Sequence, residues 1–114
     1  MSVSGTLVFG RSSYFSTTYN GGNIYLSKIG PLVVLTYSNP AVTVATAADG
    51  YVIPDSIMPD GYKFSQVGTY YGTISNVTTQ KTGSVITNSS GLRLRDTGIA
   101  KGDSFGIELI YLVN

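Results

Sequence analysis

The side chains in this chain best suited to binding are tyrosines and a pair of arginines. There are nine tyrosines, and an exposed tyrosine offers a sugar or a protein both an apolar ring and a hydroxyl at small entropic cost. Tyr70 and Tyr71 are adjacent, so a strand would point one into the core and the other outward. Arg93 and Arg95 share a strand face and could hold a phosphate or an acidic sugar, or could instead be solvated charges that discourage edge pairing. The candidate ligand residues are Tyr62, Tyr70, Tyr71, Arg93 and Arg95.

The remaining residue types offer little for catalysis or metal binding. The chain has no histidine and no cysteine, which removes the usual general base, the thiol nucleophile and the usual zinc ligands. Asp49 and Asp60 precede glycines and are explained by turns. Neither a glycosidase pair of carboxylates nor the clustered oxygen ligands of calcium is indicated by the spacing. We therefore expect no enzyme activity, no metal and no cofactor. The six carboxylates are Asp49, Asp55, Asp60, Asp96, Asp103 and Glu108.

Composition limits the partners and the size of the protein. The 114 residues suit one domain, and 11% are charged with a net charge of +1, so no basic patch for nucleic acid is expected. No run of 18 apolar residues and no secretory signal is present, which predicts a soluble protein without membrane insertion. We expect a single domain over 1–114, with 1–5 as a flexible or linker-derived N-terminus.

The elements that must position these residues are short strands. No segment carries apolar residues at helical spacing over three turns, so no helix longer than about one turn is expected. Asn20-Gly21-Gly22 predicts a hairpin, Gly30-Pro31 a break or bulge, and 88–91 a four-residue hairpin loop. The pattern predicts an antiparallel all-β sandwich or jelly roll of nine or ten strands. The predicted strands cover 6–10, 14–19, 23–28, 32–37, 41–46, 51–53, 71–74, 84–87, 92–95 and 105–113.

Two of these strands are apolar on both faces. In 105–113, Ile110 and Leu112 join an otherwise polar face, and in 32–37 Leu32 and Val34 do the same. A strand at the surface of a small sandwich needs only one apolar face. Leu32, Val34, Ile110 and Leu112 are therefore candidates for an oligomer interface.

Several segments resemble the C-terminal head domains of bacteriophage tail-fibre and baseplate receptor-binding proteins. The resemblance covers about 25–113, although Pro31 stands where an asparagine is usual and Phe105 where many members have tryptophan. It implies a virion location, a homotrimer, and binding of host cell-wall saccharide or teichoic acid together with other virion proteins. The segments are Lys28 to Leu35, Ile53-Pro54 followed by Pro59 to Lys63, Gly83 to Thr87 paired with Gly91 to Leu94, and Asp103 to Tyr111.

Three functional hypotheses follow. The first is a non-enzymatic trimeric adhesion module that binds surface saccharide, and the second is a structural virion protein, for decoration or tail assembly, without a glycan ligand. The third is an interaction trimer of the TNF or C1q type, although the aromatic-rich runs of those domains are absent here.

Overall fold

The computed structural model describes residues 12–113, and within them the chain forms one curled antiparallel sheet. The strand order across the sheet is β1-β2-β3-β8-β5-β6-β7-β4. The all-β antiparallel prediction is confirmed, with eight strands in the described residues, and the core layers come from one sheet curling rather than from two separate sheets. The strands are β1 (Ser12–Tyr19), β2 (Gly22–Ile29), β3 (Leu32–Asn39), β4 (Tyr51–Pro54), β5 (Tyr71–Asn76), β6 (Lys81–Asn88), β7 (Gly91–Leu94) and β8 (Phe105–Leu112).

Tight turns connect the first three strands. Asn20 and Gly21 both have positive φ, at 52° and 92°, as a two-residue hairpin turn between twisted strands requires. Gly30 and Pro31 form a second two-residue hairpin turn, with positive φ at Gly30 alone, because Ile29 and Leu32 are register partners. The break expected at Gly30-Pro31 is therefore a hairpin turn.

One loop prediction and one strand prediction need correction. The hairpin loop between β6 and β7 has two residues rather than four, since Asn88 and Gly91 are themselves paired. Segment 41–46 is not a strand, and only Thr46 makes a bridge, to Ile99. Its backbone is taken up by tertiary hydrogen bonds, such as Val44 N–H to Asn20 Oδ1 at 2.8 Å. The expectations for 1–5 and 6–10 lie outside the described residues.

The core lies on the concave face of the sheet. β8 runs between β3 and β5, and its inward side chains, Phe105, Ile107, Leu109 and Tyr111, are all at most 2% exposed. The ring of Phe105 meets that of Tyr37 edge-on, with centroids 5.2 Å apart. The inward half of the alternation pattern is therefore confirmed.

The loop after β4 contacts β1, so it links the two edge strands of the curled sheet. The hydroxyl of Tyr62, in the loop after β4, lies 3.0 Å from Ser13 Oγ on β1. The same loop contains two single 3-10 turns, Asp55–Ile57 and Phe64–Gln66, and the Asp55 carboxylate accepts the Phe64 N–H at 2.6 Å. No helix in 12–113 is long and apolar enough to cross a membrane.

Candidate functional site

Four large apolar side chains lie next to one another on the convex face of the sheet, opposite the core. Leu32 pairs with Leu112 and Val34 with Ile110 across the β3–β8 ladder. Their exposed fractions are 38% for Leu32, 40% for Val34, 59% for Ile110 and 49% for Leu112. We call these four residues the apolar stripe. The stripe contains all of the interface candidates predicted from the sequence.

A shallow groove opens beside the stripe, where β5 begins next to β8. Its volume is about 310 Å³, and Val34, Ile110, Tyr71 and the exposed Glu108 line it. Gly72 allows β5 to approach β8 here, because a Cβ at this position would lie 2.5 Å from the Glu108 carbonyl oxygen. The groove thus joins apolar walls to one carboxylate.

Tyr71 and Arg95 come together on the convex face at the edge of the groove, and Arg93 lies on the same face two strands from Tyr71. Tyr71 is 61% exposed, and the Arg95 guanidinium lies 5.4 Å from its ring centroid, within cation–π distance. Arg93 is engaged differently, because its Nη1 lies 3.0 Å from Asp49 Oδ1 in a surface ion pair. Only Arg95 of the two is therefore without a carboxylate partner among the described residues.

Tyr62 and Tyr70 lie on the other side of the sheet. Tyr62 is 8% exposed, and the Lys28 ammonium sits 5.3 Å from its ring centroid. Tyr70 is half-buried, with its ring centroid 6.4 Å from that of Tyr111. The structure confirms that Tyr70 and Tyr71 face opposite sides. It leaves Tyr62 without a ring face for a ligand, since the loop after β4 folds that ring against β1 and β2.

Three further exposed tyrosines were not among the sequence candidates, and two of them lie on the β1–β2 hairpin. Tyr14 on β1 is 66% exposed and Tyr25 on β2 is 38% exposed. Both lie on the convex face, because Tyr25 is opposite Thr36, which in turn is opposite Glu108. The signal that could have found them was the hairpin itself, in which each tyrosine alternates with an inward apolar residue.

The most buried of the six carboxylates serves the fold. Asp103 is 7% exposed, and its Oδ2 accepts hydrogen bonds from Asn76 Nδ2 at 3.0 Å and the Ala100 N–H at 2.9 Å. The Asn76 amide first, and the Ala100 N–H second, hold the pKa of this carboxyl below its usual range. In the described part of the chain, no three His, Cys, Asp or Glu residues are placed to hold a metal ion.

A comparison with protein-family models and a comparison with curated proteins each find no match to this chain. The residues and their geometry are therefore the basis for a functional proposal.

Proposed function

We propose that this domain is a non-catalytic adhesion module that assembles as a homotrimer through the apolar stripe and binds cell-surface saccharide. The observation that carries the proposal is the stripe itself. Its four members are exposed, contiguous and central in the sheet, whereas the residues that flank them on the same strands, Thr36 and Glu108, are polar.

Burial of the stripe would stabilise an assembly through the hydrophobic effect. Contiguous apolar patches on monomers are usually small, and larger ones with polar rims mark interaction sites. The stripe is extended by Ile29, which pairs with Leu32 and is 50% exposed. A second copy offers the same apolar surface and requires no charged partner. The number three rests on the resemblance to phage head domains.

Saccharide binding is supported by the side chains on the convex face. The convex face carries many hydroxyl side chains and several exposed tyrosine rings, which suit the alternating apolar and hydroxyl faces of sugars. Repeated copies in a trimer, and repeated trimers on a virion, would raise weak site affinities through avidity. A virion tail tip is the proposed setting.

The assembly is tested by mass photometry and light scattering on the wild type and on matched lysine variants. Val34→Lys and Ile110→Lys place a charge in the stripe and are expected to give monomers. Val77→Lys is the control, because Val77 is 65% exposed in the turn after β5, away from the stripe. Circular dichroism verifies that each variant is folded.

A wild type that is monomeric at micromolar concentration would refute the stripe as a subunit contact. Equal dissociation by Val77→Lys would show that added charge, rather than loss of the stripe, separates the copies.

A further inference from the structure

The convex face of the β1–β2 hairpin carries two exposed tyrosines on neighbouring strands. Tyr14 is opposite Ser27, and Ser16 is opposite Tyr25, so the two tyrosines are diagonal neighbours across the ladder. Diagonal neighbours lie roughly 7–8 Å apart, within the reach of aromatic side chains. Tyr14 is the more exposed, at 66%, and Tyr25 is 38% exposed. We call this pair the tyrosine platform.

Uncharged polar groups surround the platform. The convex positions of β1, β2 and β3 hold no charged residue, since Lys28 lies at an inward position and its ammonium binds the Gly61 carbonyl at 3.1 Å. The nearest charge on the described part of this face is Glu108, beyond Thr36 on β8. The hydroxyl and amide side chains around the platform are Ser16, Thr18, Asn23, Ser27, Thr36 and Ser38.

We propose that the tyrosine platform is a binding site for uncharged saccharide. The proposal rests on the adhesion function above and names the surface and the ligand class. Tyrosine rings cover the apolar faces of sugar rings, and neighbouring hydroxyl and amide groups donate to and accept from sugar hydroxyls. Among residues 12–113, the convex positions of β1 to β3 offer an anionic polymer no cation to replace the solvation of its phosphates.

The charge distribution separates this site from Tyr71, another exposed tyrosine on the same face. Tyr71 has the Arg95 guanidinium 5.4 Å from its ring, so an anionic polymer such as teichoic acid would be favoured there. The platform and the Tyr71–Arg95 pair lie on opposite sides of the apolar stripe. The ligand's charge therefore decides which of the two surfaces it contacts.

The test uses the full chain, labelled with ¹⁵N, and soluble hexasaccharides of glucose, galactose and N-acetylglucosamine at millimolar concentration. Glycerol-phosphate teichoic acid is the anionic comparison. At least one neutral hexasaccharide is expected to shift the amide signals of β1 and β2, with Tyr14→Ala and Tyr25→Ala each weakening binding at least about tenfold. Tyr14→Phe keeps the ring and is expected to retain most of the affinity. Tyr51→Ala removes an exposed tyrosine from β4 and is expected to leave binding unchanged.

Each other outcome overturns the assignment of this site. Shifts caused only by teichoic acid would leave adhesion standing and refute a neutral ligand. Shifts away from β1 and β2 would refute the platform. A changed oligomeric state in Tyr14→Ala, measured by mass photometry, would make the platform part of the subunit contact. If no glycan binds to an intact trimer, both the platform and the saccharide ligand fail while the stripe interface survives.

Discussion

The Tyr111 hydroxyl is a sensitive probe of how the loop after β4 is held on the core. It donates a hydrogen bond to the Tyr62 carbonyl at 2.7 Å, and the Tyr111 side chain is fully buried. The variant Tyr111→Phe removes one oxygen and leaves the ring in place. The carbonyl of Tyr62 then loses this partner in a site closed to bulk water.

The expected loss of stability at neutral pH is modest and measurable. A buried acceptor left without its partner costs about 1–3 kcal/mol, so we expect a loss near 1.5 kcal/mol. For a domain of this size, that corresponds to a fall in Tm of about 5–9 °C. Tyr71→Phe is the matched control, because the Tyr71 side chain is 61% exposed, and it should change stability by less than about 0.5 kcal/mol.

At alkaline pH the stability advantage of the wild type over Tyr111→Phe should disappear and then reverse. Burial first, and the nearby Asp55 and Tyr62 second, raise the pKa of Tyr111 well above the ordinary value of 10.0. Above pH 10 the unfolded chain therefore loses a proton that the folded chain keeps, and wild-type stability falls as pH rises. The fall from this residue approaches about 1.4 kcal/mol per pH unit. The Tyr111→Phe variant lacks this ionisable hydroxyl and its pH-dependent loss, so the stabilities of wild type and variant should become equal near pH 11.

Urea unfolding followed by circular dichroism, repeated from pH 7 to pH 11.5, measures both effects. Tyr37, whose pKa burial also raises, contributes equally to both proteins and cancels in their difference. A Tyr111→Phe variant as stable as Tyr71→Phe at pH 7 would refute the hydrogen-bond reasoning. A stability difference that stays constant above pH 10 would refute the linkage.

Two further substitutions test the loops and the sheet. Because the Asn76 amide and a backbone N–H hold the pKa of Asp103 below its usual value near 3.8, this carboxylate stabilises the fold above that pH and the contribution is lost as pH falls. Asp103→Asn should therefore flatten the acid limb of a urea-unfolding series from pH 2 to 6, and parallel limbs in variant and wild type would contradict this. Gly72→Ala should cost about 1–3 kcal/mol, since its Cβ would lie 2.5 Å from the Glu108 carbonyl oxygen. Gly68→Ala, with nothing within 4 Å, is the control, and equal losses would show that crowding is not the cause.

The sheet was largely predictable because its strands alternate cleanly and its turns carry glycine. Asn20 and Gly21 predicted the first hairpin, and the alternation through Leu92 and Leu94 predicted which face of that strand is buried. Local preferences and tertiary packing agree at these positions. The apolar stripe was predictable for the opposite reason, since its members interrupt the alternation of two otherwise regular strands.

The failures came from tertiary contacts that leave no local signal. Segment 41–46 has the composition of a strand, yet the Asn20 side chain and the Asp103 carbonyl take its backbone donors. Tyr62 follows a glycine in a polar loop, but the loop folds back and buries the ring. Tyr14 and Tyr25 did leave a local signal in the alternation of the β1–β2 hairpin, but only the ladder register shows that the described convex positions around them on β1 to β3 carry no charge.

The central position of β8 has a consequence for the order of folding. β8 is the last of the described strands in the sequence, yet it lies between β3 and β5 in the sheet. Leu32 to Asn39 therefore pair with Phe105 to Leu112. Pairing between such distant segments slows folding, because loop-closure entropy is spent before the contact is gained. The β1–β2–β3 meander can form early, but in the described sheet it is joined to β5, β6, β7 and β4 only through β8. A ribosome-bound chain lacking β8 should therefore remain open, and the domain should close in a single late step.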